Sequence, residues 1–204
     1  MRRIIILAIS LLMGLTMKAQ PVQGKQPEHF EFDGVPMDRT IVQFKINMSV
    51  RGYSIDKEAS NEQENMIAFQ GAYSGYHVWV YTFYAPGTKH VYEAQAEFPY
   101  TSRQMAESQW QWFKDQFERK IVSANLGYSQ TNGVGVGPGG RVYYMMVNRQ
   151  PKPRFADGPA TLGTVYMYVD KMSSSSPYYT DEDHAYNLVM GFIDTIHDAE
   201  KSGR

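Results

Sequence analysis

Apolar residues recur along this chain in two rhythms, and where the rhythms are unmixed they assign structure directly. Between Thr101 and Val122, Ala106, Trp110, Phe113, Phe117 and Ile121 fall three or four residues apart. They therefore share one side of a helix, while Glu107, Gln111, Lys114, Asp115, Glu118 and Arg119 take the other. Thr101 with Gln104 fits a capping box at its start, and Pro99 helps to end the segment before it. Upstream, Tyr76–Tyr84 is built from aromatic and branched residues, the composition of a strand. In Val91–Phe98, Tyr92, Ala94, Ala96 and Phe98 alternate with Glu93, Gln95 and Glu97, which predicts a strand with one buried and one wet face. Met66–Gln70, Arg141–Asn148 and Leu162–Asp170 read as further strands and Gly127–Gln130 as a short one. Ser74-Gly75 and Ala85-Pro86-Gly87 read as turns, and the polar stretches Asp56–Asn65 and Pro151–Pro159 as loops.

The rhythms conflict in Phe32–Tyr53. Val42, Phe44, Ile46, Met48 and Val50 alternate with polar residues as in a strand, whereas Asp38 suits an N-cap, Gly52 suits the residue after a helix, and Ile41, Phe44 and Met48 make a thinner helical stripe. At the other end, Ala185, Leu188, Val189, Phe192, Ile193 and Ile196 keep helical spacing behind Thr180, with Asp181, Glu182 and Asp183 near the positive end of the helix dipole. That predicts a carboxy-terminal helix within residues 180–204.

The run FDGVPMDRT at residues 32–40, the following Ile41, Phe44, Met48 and Gly52-Tyr53, FQGAYSGY at 69–76 and YVDKMSS at 168–174 resemble a group of small uncharacterised secreted α+β proteins of gut Gram-negative bacteria. The resemblance implies a helix over Asp38–Arg51 and carries no activity or catalytic residue to map. The expected fold is α+β, with one or two helix-on-antiparallel-sheet units and a C-terminal helix. The helix starts Asp38 and Thr101 are 101 − 38 = 63 residues apart, which suits a tandem pseudo-duplication with halves 32–99 and 100–172. Residues 173–179 read as a linker. Such a layout is similar in architecture to the β-lactamase inhibitor proteins, a likeness of fold and not of function.

Residues 1–19 change the picture of where this fold works. Arg2 and Arg3 precede an apolar run from Ile4 to Met17 that ends at Ala19, the pattern of a cleavable signal peptide, and 20–31 form a polar lead-in. The expected location is periplasmic or secreted. There is no cysteine, so neither a lipoprotein anchor nor a disulfide is available. Without Arg2, Arg3 and Lys18 the balance is 17 − 21 = −4, with no basic stripe, which argues against nucleic acid and against anionic lipid as partners. No stable membrane anchor is expected after cleavage.

Candidate chemistry is sparse. Gly135-Val136-Gly137-Pro138-Gly139-Gly140 matches G-x-G-x-x-G by letter but leads into a strand and contains a proline, so it reads as a hairpin loop. Asp181, Glu182, Asp183, His184, Asp194, His197 and Asp198 are the densest set of metal-ligand types. His184 and His197 stand too far apart on a continuous helix to share an ion, and the Asp194–His197 pair alone does not close a shell. His29, His77 and His90 are scattered. We therefore expect no catalytic residue, cofactor or metal. The compositional signal is tyrosine, with 15 residues. His77, Trp79, Tyr81 and Phe83 share one face of their strand. With Tyr143, Tyr166 and Tyr168 they make either an aromatic platform for an unidentified protein, peptide or glycan, or a second layer covered by the last helix or another subunit. The leading reading is a non-catalytic protein- or peptide-binding module; the second is a carbohydrate-binding protein or weak hydrolase that pairs the platform with Asp or Glu.

Overall fold

A computed structural model describes residues 29–133, 142–149, 161–171, 186–198 and 200. The fold is mixed α+β. A short hairpin, β1 (Glu31–Phe32) and β2 (Val35–Pro36), leads into helix α1 (Ile41–Val50). Four strands follow: β3 (Ser54–Asn61), β4 (Met66–Tyr73), β5 (Tyr76–Tyr84) and β6 (Val91–Tyr100). Helix α2 (Arg103–Ser123) comes next, then β7 (Gly127–Gly133), β8 (Val142–Asn148), β9 (Thr161–Lys171) and β10 (Tyr186–Asp194), and a single turn α3 (Thr195–Asp198). The eight long strands form one antiparallel sheet in the order β3-β4-β5-β6-β10-β9-β8-β7.

The ambiguous segment is a helix. Ile41, Phe44 and Met48 are buried while Val42, Ile46 and Val50 are exposed, so the period-two alternation is accidental and the thin helical stripe faces the core. Its end explains why. Gly52 has φ +88° and donates to Ser49 O, and Tyr53 N donates to Met48 O, the Schellman arrangement that closes a helix where glycine tolerates left-handed backbone. The start differs from expectation, because the N-cap is extended Thr40, and Asp38 pairs with Arg39 instead. On α2 the cap is likewise shifted by one residue, with Ser102 Oγ accepting from Met105 N in place of a Thr101 box.

Both helices deliver their apolar residues to the same side of the sheet. Phe44 meets Phe69 on β4, Phe113 packs 4.9 Å from Phe98 on β6, Phe117 packs 5.3 Å from Phe192 on β10, and Trp110 stands edge-on to Tyr143 on β8. Cross-strand partners share a face, so the ladder Phe69, Val80, Ala96, Met190, Met167, Tyr143 is the floor of this core.

Two expectations fail. Asp56–Asn65 is mainly the edge strand β3, closed by a 3-10 turn at Glu62–Glu64. An edge strand wetted along much of its length needs no apolar alternation, and its pairing slips between Asp56 and Asn61. Where the predicted carboxy-terminal helix is described, Tyr186–Asp194 is the strand β10, in the middle of the sheet between β6 and β9, and only Thr195–Asp198 is helical. Leu188, Val189, Met190, Gly191 and Phe192 are all buried. A strand flanked on both sides and covered on both faces carries a continuous apolar run, which also places residues at helical spacings. No helix among the described residues is long and apolar enough to cross a membrane.

Candidate functional site

The strand registers assign each predicted platform residue to a face. Trp79 stands opposite Glu97, Glu97 opposite Val189, and Val189 opposite Tyr168. One step along, Tyr81, Gln95, Gly191, Tyr166 and Tyr144 form a second row. Both rows lie on the side away from α1 and α2, so Trp79, Tyr81, Tyr166 and Tyr168 do share one face. Tyr143 does not. It belongs to the helical side and is 4% exposed, with Lys114 Nζ 5.5 Å from its ring centroid and its hydroxyl 3.5 Å from Glu118 Oε1. Its neighbour Tyr144, 37% exposed and 6.4 Å from Tyr166, takes the place expected of it.

Polar side chains tie the aromatic rings into a fixed arrangement. An added Cβ at Gly191 would stand 1.9 Å from Tyr166 Cζ, so only glycine lets the Tyr166 ring lie across β10 at this point. The Tyr166 hydroxyl reaches Glu93 Oε1 at 2.7 Å and Gln95 Oε1 at 3.1 Å. Gln95 Nε2 donates to Glu97 Oε1 at 2.8 Å, and Asn187 Nδ2 donates to Glu97 Oε2 at 3.1 Å. Tyr168 stacks on Tyr166 with planes 13° apart, and His77 stands edge-on to Trp79 at 4.7 Å.

No family model, curated protein or solved structure matches this chain. Its function is therefore read from the chemistry of the face itself.

Burial lifts the Glu97 carboxyl above its ordinary value; the Gln95 hydrogen bond opposes this and the Asp170 charge adds to it. Burial, and then the Glu97 charge, pushes the Tyr168 hydroxyl up to about 12. Tyr166 is raised further, by burial and by Glu93. Both phenols thus stay protonated at neutral pH, and the Tyr166 hydroxyl donates to the carboxylate of Glu93 and the amide oxygen of Gln95 beside the flat apolar rings. That combination suits recognition of a surface that is part apolar and part hydrogen-bonding.

Glu93, Gln95 and Glu97 were legible in the sequence as the wet side of their strand, and pairing that strand with Tyr76–Tyr84 would have placed them beside Trp79 and Tyr81. Asn187 and Gly191 were hidden by the helical reading of their segment. Gly135–Gly140 and Asp181–His184 lie outside the described residues. Asp194 and His197, expected on a wet helix face, are 0% and 7% exposed at the end of β10 and in α3. A second apolar surface exists on α1, where Val42, Ile46 and Val50 are exposed at four-residue intervals.

Proposed function

We propose that this chain is an exported, non-catalytic binding module that takes a protein or peptide on the sheet face carrying Trp79, Tyr81, Tyr144, Tyr166 and Tyr168. One observation carries the reading: four of the five predicted aromatics share the face away from α1 and α2, held by a hydrogen-bonded set of polar side chains. Rigid aromatic area with polar neighbours loses little conformational entropy on binding, which is why such residues dominate recognition surfaces. The signal-like residues 1–19 support action in the periplasm or outside the cell.

We read the chain as a tandem duplication of a helix-on-sheet unit. A helix followed by four strands occurs twice, with helix starts 103 − 41 = 62 residues apart, and the last strand of each unit, β6 or β10, lies at the centre. Tyr81, Gln95 and Glu93 come from the first unit and Tyr166, Gly191 and Asn187 from the second, so the binding face is complete only when the two are joined.

A glycan is the second reading, favoured by Glu97 standing opposite Trp79, since ring stacking beside carboxylate and amide acceptors suits a sugar. The test is partner capture from the native periplasm by wild type, Tyr81→Ser, Tyr144→Ser and Val42→Ser, run beside a glycan array. The proposal expects the two tyrosine variants to lose the captured protein with nearly unchanged melting midpoints, and Val42→Ser to keep it. Capture lost only in Val42→Ser would overturn it, and array binding abolished by the tyrosine variants would transfer the face to the glycan reading.

A further inference from the structure

At one end of the central strand pair, three separate stretches bring histidines and carboxylates together. His29 precedes β1, Thr88 to His90 form the connection into β6, and Asp194, His197 and Glu200 follow from β10. One ligand atom from each of His29, Asp194 and His197 lies within 4.8 Å of the others. Asp194 is fully buried, and it also anchors the backbone here: Phe30 N donates to its Oδ2 and His197 N to its Oδ1, both at 3.1 Å. His29 Nδ1 is 3.6 Å from Asp194 Oδ2.

His197 supplies the deciding detail. Its Nδ1 lies 3.0 Å from Glu200 Oε1, while its Nε2 is buried with no hydrogen-bond partner. A carboxylate accepting from Nδ1–H fixes the tautomer in which Nε2 holds the lone pair, the same arrangement that orients imidazoles on metal ions. Glu200 is itself held by Thr88 Oγ1 and by His90 Nδ1 at 3.0 Å. Leaving an imidazole nitrogen buried and unpaired costs free energy unless something binds it.

We propose that His29, Asp194 and His197 form a binding site for a divalent transition-metal ion of the zinc class, with Glu200 as the positioning residue for His197. Two imidazole nitrogens and one carboxylate oxygen are a donor set this ion takes readily, leaving a fourth position open to solvent or to a ligand group. Donors on a tetrahedral ion with bonds near 2.0–2.1 Å stand roughly 3.3 Å apart, so binding draws the three side chains inward. It also turns His29, which now stacks on His197 with ring centroids 5.4 Å apart and is partly exposed, hence able to rotate. The site lies at the junction of the lead-in, the entry to β6 and the end of β10, so an ion there would clamp the segment around His29 onto the sheet. It is separate from the aromatic face and does not depend on it.

The test is calorimetric titration of zinc alone into the metal-stripped full chain, with circular dichroism to confirm that each variant is folded. Wild type is expected to bind one ion, and saturating zinc to raise its melting midpoint. His29→Gln and His197→Gln are expected to lose both effects, and Glu200→Gln to weaken binding about 10–100-fold, as loss of a group orienting a ligand does. His29 is partly exposed, so His29→Gln remains decisive even if His197→Gln fails to fold. No zinc binding by wild type, or undiminished affinity in His29→Gln, would overturn the proposal.

Discussion

Gly191→Ala is a one-carbon change at the centre of the sheet whose cost follows from a single contact. The new Cβ would stand 1.9 Å from Cζ and 2.4 Å from the hydroxyl oxygen of Tyr166, so the ring must swing off β10. Its hydroxyl then leaves Glu93 Oε1 and Gln95 Oε1. A hydrogen bond to a charged group contributes about 1.5–3 kcal/mol. Against this, alanine in a strand recovers about 0.5–1 kcal/mol of the entropy that glycine loses on folding. The net expectation is a loss of about 1–2 kcal/mol, or roughly 2–8 °C in the melting midpoint of a domain this size. Calorimetry measures the midpoint, and an alkaline titration followed by ultraviolet absorbance adds a second reading. Tyr166, held well above the ordinary tyrosine value by burial and by Glu93, should ionise nearer about 10 once released. A midpoint that stays level or rises, with the titration unaltered, would refute the placement of this ring across the strand.

Phe44→Ala should cost about 3–5 kcal/mol by denaturant unfolding and Val42→Ala no more than about 0.5, and the reverse order would restore the strand reading of this segment. Phe113→Ala, which removes a ring packed between Phe98 and Tyr73, should likewise cost about 3–5 kcal/mol. Glu97 is raised by burial, so its contribution to stability is complete below its unfolded value near 4.5 and declines as pH rises through its folded value. Glu97→Gln should therefore gain on wild type in melting midpoint from about pH 4 to about pH 8, and a difference that is flat with pH would remove this account of Glu97. Truncation before Tyr186 should abolish cooperative unfolding, because β10 bridges β6 and β9, whereas a retained sharp transition would show that the remaining strands close without it.

Much of the fold was legible because local signals agreed with burial. The α2 stripe, the aromatic strand β5 and the alternation in β6 each describe an element with one dry side, and periodicity reports that condition well. It fails at the two extremes. β3 is an edge strand with little to bury and so looks like a loop, while β10 is covered on both faces and so looks like whatever spacing one chooses to count. Gly191 inside Leu188–Phe192 was the signal against a helix, since glycine there weakens a helix yet serves a strand crossed by a neighbouring ring. The aromatic face was legible as a set of residues but not as a site. Tyr143 and Tyr144 are adjacent in sequence and opposite in space, and only the pairing of β8 with β9 decides which belongs. Of the histidine cluster only the Asp194–His197 pair was legible, because His29 and His90 are far from it in the chain and join it only through the order of the strands.

Hydroxyl-radical footprinting of the free chain against the chain bound to its captured partner shows directly whether the tyrosine face takes that partner. Protection is expected only in the segments carrying Trp79, Tyr81, Tyr144, Tyr166 and Tyr168, with Val42, Ile46 and Val50 on α1 labelled equally in both states. Protection of the α1 residues with the tyrosine face still labelled would contradict it.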